Sequence, residues 1–185
     1  LCGVASRPVK LIKKNKRNID IFFVSGSGKH NVDGIKIFIN NIYPKIIKIY
    51  PSIKICFAGA ICEKNFLKNQ KNIKLHGYVN QNKLDILYSS SKLVVNPVYN
   101  GVGVKVKTVE ALSHSSIVLT THNGKEGISN LPKNVLFSGD NDSFWISTIC
   151  KIMDEKIDTH NYRKNVFKWS KENLVGDKVY SEAIK

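Results

Sequence analysis

The sequence predicts an α/β fold built on one doubly wound parallel sheet. Two observations carry this. Short apolar runs, most of them apolar on both faces, alternate with longer segments whose apolar residues recur every three or four positions. That is the pattern of buried parallel strands separated by helices. The glycines and many polar residues then gather just after the apolar runs, where such sheets bind ligands.

The elements follow in order. Residues 1–18 are basic and irregular and read as a linker or domain edge, and residues 19–185 read as one domain. Residues 19–24 form the first strand, which ends in Ser25-Gly26-Ser27-Gly28. Val32, Ile35, Phe38, Ile39, Ile42, Ile46 and Ile49 keep a helical period, with Asn31 placed as its N-cap. Pro44 is expected to kink this helix or start a new turn, because it cannot donate a backbone hydrogen bond. Residues 53–58 form a second strand closed by Gly59, and residues 73–75 a third that runs into His76-Gly77-Tyr78-Val79. A short helix over 84–88 precedes a fourth strand over 92–96. A helix over 103–113, strands over 117–121 and 134–137, and helices over 143–154 and 162–173 complete the domain.

Composition narrows the function classes. The 185 residues suffice for one sizeable core, and no apolar run approaches the ~20 residues of a membrane span. The first residues, Leu1-Cys2-Gly3-Val4, lack the basic n-region of a signal peptide and an initiator methionine, so a fragment is expected. Net charge is +15, from 29 Lys and Arg against 14 Asp and Glu. Only Arg7, Arg17 and Arg163 are arginine; lysine is scattered over every segment, and Lys, Asn and Ile are frequent together, as A/T-rich coding produces. Nucleic-acid readers favour arginine interleaved with aromatics, so no nucleic-acid partner is expected. A peripheral contact with an anionic membrane stays open. Cys2, Cys56, Cys62 and Cys150 show no metal spacing and no CxxC, and the five histidines are dispersed. No metal and no bound cofactor is expected, and a reducing, cytoplasmic compartment is the simplest reading.

One stretch carries the chemistry. Asn96-Pro97-Val98-Tyr99-Asn100-Gly101-Val102-Gly103-Val104-Lys105-Val106-Lys107-Thr108-Val109-Glu110-Ala111-Leu112 leaves a strand, turns through two glycines and enters a helix. Backbone N–H groups at such a turn attract an anion, lysines beside it neutralise phosphate, and a carboxylate further on accepts from ribose hydroxyls. Lys105 and Lys107 cannot point the same way from a helix start, so one meets phosphate and the other is solvated or structural. The residues alone leave bland alternatives open. Gly101 and Gly103 also suit a plain tight turn, Ser25–Gly28 a flexible one, Glu110 a solvated helix face, and Tyr78 core packing.

Residues 19–135 resemble, in consistent order, the donor-binding half of the GT-B glycosyltransferases of the retaining group 1, or family 4, type. Phe23-Val24-Ser25-Gly26 with His30-Asn31-Val32-Asp33-Gly34 is similar to the family's opening strand, glycine loop and first helix. Asn72 to Val79 resembles its strand and turn against the nucleobase, and Gly101 to Leu112 its G-x-G-x-K-x-K-x-x-E-A-L segment. Thr120 to Ile128 resembles the loop that follows, and Leu1 to Val4 the end of the interdomain connection. Many members carry two glutamates with seven residues between them; the second falls on Glu110 and the first on Val102, where this chain departs from the pattern.

The resemblance implies a Rossmann-like sheet forming one half of a GT-B architecture, with an acceptor-binding N-terminal domain missing here. It implies a UDP- or GDP-linked sugar as co-substrate, bound without metal and transferred as a hexose to a glycan or lipid acceptor in cell-surface glycan or glycolipid synthesis. The enzyme would be cytoplasmic or peripheral on the inner face of the membrane. Gly26, Gly101, Gly103, Lys105 and Lys107 would hold the diphosphate, Glu110 the ribose, and Gly77, Tyr78 and Val79 the nucleobase. Asn100, in place of the absent glutamate, and Glu126 would meet the sugar. No catalytic base or nucleophile stands out, and the fragment alone is expected to be inactive. The rival is a non-catalytic basic α/β module that binds polyanions such as nucleic acid or anionic membrane.

Overall fold

The computed structural model describes residues 17–128 and 130–174. The expected linker over 1–18 and the resemblance at Leu1–Val4 therefore lie almost wholly outside the described residues, as does the end of the domain beyond 174.

Six strands form one sheet in the order β3-β2-β1-β4-β5-β6. They are β1 (Ile19–Val24), β2 (Ile55–Ala58), β3 (Ile73–Leu75), β4 (Ser91–Asn96), β5 (Val118–Thr120) and β6 (Phe137–Ser138). Every pair is parallel, with Phe22 opposite Cys56 on one side of β1 and Ile21 opposite Leu93 on the other. The chain builds outward from β1 to β3, returns to lay β4 beside β1, and builds outward again. Right-handed crossovers must then change face between β1 and β4, which opens a crevice at the carboxyl ends of those two strands.

Successive residues of β1 show both faces at work, because neighbouring strand side chains point to opposite sides. Phe22 meets Tyr88 edge-on at 5.3 Å on one face, while Phe23 stacks on Phe57 at 4.3 Å and meets Phe38 at 4.9 Å on the other. Ile21, Phe22 and Phe23 are buried, as are all four residues of β2. Continuous apolar runs suit a sheet covered on both sides, where each buried large side chain contributes about 1.5–3 kcal/mol.

The helices are α1 (Lys29–Ile37), α2 (Tyr43–Ile49), α3 (Gln81–Ser89), α4 (Val106–Ser113), α5 (Asp142–Met153) and α6 (Thr159–Asn173). Between α1 and α2 the chain widens into a π turn at Phe38–Ile42, and Pro44 takes the first turn of α2. The proline thus starts a new turn as its missing N–H requires. Trp145 of α5 packs on Phe38 at 6.4 Å and donates from Nε1 to the Gly139 carbonyl at 2.6 Å. On the other face Ser170 of α6 donates to the Leu112 carbonyl at 2.8 Å, at the end of α4. Buried Arg163 of α6 donates to the carbonyls of Ser115, Ser91 and Lys92, which fastens that helix to the entries of β4 and β5.

Several boundaries differ from expectation for local reasons. Asn31 is not the cap of α1, because the helix begins two residues earlier with Gly28 at the N-cap and no side-chain capping bond. Helix α3 starts at Gln81 rather than 84 because the Asn80 side chain accepts from the Lys83 N–H at 2.9 Å. Helix α4 starts at Val106 rather than 103: Gly101 and Gly103 have φ of +114° and +82°, which keeps the chain out of the helical region. Helix α6 starts at Thr159 because Asp158 accepts from the N–H groups of His160 and Asn161. Strands β2 and β5 are shorter than expected, and β6 lies at Phe137–Ser138 rather than over 134–137.

Candidate donor-binding crevice

The two loops that flank the switch point leave β1 and β4. The first runs Ser25-Gly26-Ser27-Gly28 into α1, and the second runs from Pro97 to Lys105 into α4. They approach closely because α1 presents Gly34 to the second loop. A Cβ there would lie 1.5 Å from the Pro97 carbonyl oxygen.

A hydrogen-bond network ties the second loop to the loop after β5. Asn96 Nδ2 donates to Thr108 Oγ1 at 2.9 Å, and that hydroxyl donates to the Gly124 carbonyl at 2.7 Å. Thr120 Oγ1 donates to the Asn96 carbonyl at 2.7 Å and Thr121 Oγ1 to the Val98 carbonyl. Asn96, Thr108, Thr120 and Thr121 are all buried, so these bonds substitute for water and fix the loop's path.

On that frame the two lysines part. Lys105 folds back over its own turn, donating from Nζ to the carbonyls of Gly101 at 2.8 Å and Gly103 at 3.0 Å. Its ammonium is 3.9 Å from the Glu126 carboxylate. Asn123 Nδ2 completes the ring, donating to Gly101 O at 2.9 Å and Glu126 Oε2 at 2.8 Å. Lys107 instead reaches across the crevice and donates to Asn31 Oδ1 at 3.0 Å. Burial lowers the Lys107 ammonium from its ordinary pKa, with the Glu110 carboxylate acting in the opposite sense. The Asn31 amide nitrogen faces the first loop, where a Cβ at Gly26 or Gly28 would come within 3.8 Å of it.

Glu110, one turn beyond Lys107 on α4, accepts from the Tyr88 hydroxyl at 3.1 Å. Gly101, Gly103, Lys105 and Glu126 thus form one cluster, Lys107 meets Asn31 beside Gly26, and Glu110 lies one turn on along α4. Asn100 is exposed beside the turn, and Val102, at the departing position, is fully exposed. Gly77, Tyr78 and Val79 follow β3, two strands away; the Gly77 carbonyl accepts from the Gly59 N–H at 2.7 Å. Tyr78 is 78% exposed, so it is not core packing, while Val79 packs against the core.

Three further residues bear on the site: Asn31 and Asn123 beside the glycine turn, and buried Tyr88 behind Glu110. Asn31 looked like a cap, Asn123 sat unassigned in a polar loop, and Tyr88 looked like the last apolar position of a helix. No local spacing marks them: Asn31 lies within α1 and Asn123 in the loop after β5, and their partners Lys107 and Gly101 are distant in sequence. A wider cleft of about 310 Å³ lies beside β6, lined by residues including Leu131, Phe137 and Phe144. It holds neither the glycine turn nor a carboxylate. Among the described residues no cluster of three or more His, Cys, Asp and Glu could hold a metal ion. No described helix is long and apolar enough to cross a membrane.

The arrangement sets an ammonium between α4 and α1 beside two glycine loops, with a carboxylate one turn further along α4. The chemistry of these groups suits an anionic ligand that also carries hydroxyls. An uncharacterised 44.6 kDa protein in the cps region of Klebsiella pneumoniae is 26% identical over 189 residues, which cover 96% of this chain. Those residues are 48% of that relative, so the chain spans about half of its length. The C-terminal domain of LpcC, a glycosyl transferase group 1 family protein from Francisella tularensis, superposes with a TM-score of 0.66 at 14% identity, covering 92% of this chain and 96% of that domain. A TarM variant from S. aureus, solved with UDP, fondaparinux and α-GlcNAc-glycerol, gives a TM-score of 0.71 at 15% identity over 96% of this chain and 37% of its own. These two establish the fold as that of a GT-B half. The sequence model described as "Glycosyl transferases group 1" matches residues 18–155, most of the chain, and the protein belongs to that family.

Proposed function

We propose that this chain is the nucleotide-sugar-binding half of a retaining, metal-independent glycosyltransferase that moves a hexose from a UDP- or GDP-linked donor to a glycan or lipid acceptor. The observation that carries it is the Lys107–Asn31 contact at 3.0 Å. It brings one ammonium from the start of α4 to α1, the two helices that follow the glycine loops after β4 and β1. In this reading Lys107 meets the diphosphate, Lys105 shapes the Gly101–Gly103 turn, and Glu110 accepts from the ribose hydroxyls. Gly77, Tyr78 and Val79 lie against the base, and Asn100 and Glu126 against the sugar. The chain's contribution to the reaction is to orient the donor and stabilise charge on the departing diphosphate.

The acceptor is held by a second domain in this reading, supported by the 48% share of the relative that the chain spans. That relative's place in a cps region supports a role in cell-surface glycan synthesis. The free thiols of Cys56, Cys62 and Cys150 suit a cytoplasmic enzyme, and its lysine-rich surface suits peripheral contact with the inner leaflet.

A thermal-shift panel with UDP, GDP, dTDP, CMP and ADP, at low and high salt and with and without EDTA, tests this. A ligand at ~100 times its Kd adds about 2.7 kcal/mol, which raises Tm by about 5–10 °C for a chain of this size. The expected result is selective stabilisation by UDP or GDP that survives salt and chelator. Salt-sensitive binding to DNA or anionic vesicles with no nucleotide preference would replace it with the polyanion-binding reading.

A further inference from the structure

The side chains behind Glu110 form a network that the phosphate contacts do not use. Tyr88, near the end of α3, donates from its hydroxyl to Glu110 Oε2 at 3.1 Å. Its ring is fully buried, with Phe22 edge-on at 5.3 Å and His114 stacked at 4.5 Å. His114 is itself fixed at both ring nitrogens. Nδ1 lies 2.8 Å from the Glu110 backbone oxygen, and Nε2 lies 3.0 Å from Asp85 Oδ1. Burial first, and the adjacent Glu110 carboxylate second, hold the Tyr88 phenol well above its ordinary pKa, so it stays protonated and serves as a donor.

The consequence falls on Glu110. An exposed glutamate samples many rotamers, and ordering it on ligand binding costs affinity. Here Oε2 accepts from the hydroxyl of a buried tyrosine packed against Phe22 and His114. Oε1 accepts none of the described hydrogen bonds. One carboxylate oxygen is anchored and the other is available.

We propose that Tyr88 is a positioning residue for donor recognition, holding Glu110 so that its free oxygen faces the ribose hydroxyls of a nucleoside diphosphate. This rests on the donor-site reading given above. A tyrosine that merely filled the core would affect stability and all ligands alike. A positioning tyrosine affects only ligands that carry the hydroxyls.

The test measures Kd by calorimetry for UDP and GDP and for their 2′,3′-dideoxy analogues, on the full chain and its Tyr88→Phe, Glu110→Ala and doubly substituted variants. Phenylalanine keeps the ring contacts and removes the donor. Tyr88→Phe should weaken the preferred ribonucleotide about tenfold, the worth of one hydrogen bond to a charged group, and leave its dideoxy analogue unchanged. In the Glu110→Ala background, adding Tyr88→Phe should leave the ribose-to-dideoxy ratio where it was, because there is no carboxylate left to orient. An unchanged ratio in Tyr88→Phe, or a further fall in the double variant, overturns the inference. A parent chain that binds both analogues equally overturns it together with the Glu110 assignment alone. Binding of no nucleotide at all by the parent chain removes the donor-site reading and the inference with it.

Discussion

Lys105 and Lys107 stand two positions apart and have unlike surroundings, which separates their roles. Lys105 spends two of its three N–H donors on carbonyls of its own turn, so its removal should loosen the loop. Lys107 has one described partner, a neutral amide, and remains available to an anion. Lys107→Met should weaken a nucleoside diphosphate about 10- to 100-fold, the loss of a charge-assisted contact, while a nucleoside without phosphate binds as before. Titration calorimetry reads this directly, and equal losses for both ligands would move the phosphate elsewhere. The pH dependence has a definite sign. Burial lowers the Lys107 pKa in the folded chain, so its charge costs stability at neutral pH, and that cost fades as pH rises through the folded value. A bound diphosphate favours the charged form instead. Its affinity should begin to fall at a pH below the ordinary lysine range, and this fall should vanish in Lys107→Met. The divergence of the two lysines was legible in their spacing at a helix start. The Asn31 partner was not, since an asparagine ahead of an apolar period reads as a cap until the backbone of Gly28 is seen to take that place.

At the scale of elements, the crevice depends on how closely α1 approaches the loop after β4. Gly34 makes that approach possible, and nothing with a side chain can replace it without movement: an added Cβ would sit 1.5 Å from the Pro97 oxygen, a backbone atom. Gly34→Ala should destabilise the chain by about 3 kcal/mol, lowering Tm by roughly 6–12 °C. It should also weaken nucleotide binding, because it moves α1 away from the segment that leads into α4, which Lys107 and Asn31 join. A variant with an unaltered melting temperature by circular dichroism would refute the close contact. Strands were the most legible elements, since Ile21, Phe22 and Phe23 in β1 can be apolar in succession only if both faces are covered. Helix starts were less so. Gly103 sits in an apparent helical run, and only its positive φ shows that α4 must wait for Val106. The starts of α3 and α6 depend on the polar caps Asn80 and Asp158, which stand ahead of the apolar period rather than within it.

At the scale of the whole molecule, the parallel, doubly wound sheet was readable from the alternation of strands and helices. The order β3-β2-β1-β4-β5-β6 was not, because right-handed crossovers are compatible with more than one order. The nucleobase, sugar and acceptor were not, because they depend on loop tips such as Asn100 and Tyr78 whose side chains face outward. Charge is the molecular property that bears on both stability and partner choice. The chain carries +15, and its described ion pairs engage Lys92, Lys105 and Lys156. At ~10 mM salt the Debye length is about 30 Å, comparable with the domain itself, so the excess positive charges repel across its whole width; at ~100 mM it is about 10 Å. Relief of roughly 1 kcal/mol of self-repulsion corresponds to about 2–4 °C for a chain of this size. The melting temperature should therefore rise by about that much as sodium chloride goes from ~10 to ~150 mM. A polyanion should reproduce the rise at low salt and lose its effect at high salt. The nucleoside diphosphate should add its own increment at both, because the Lys107 contact is sheltered by burial while the surface lysines are not. A melting temperature indifferent to salt would mean that the lysines are neutralised within the fold, and the charge would then say nothing about partners.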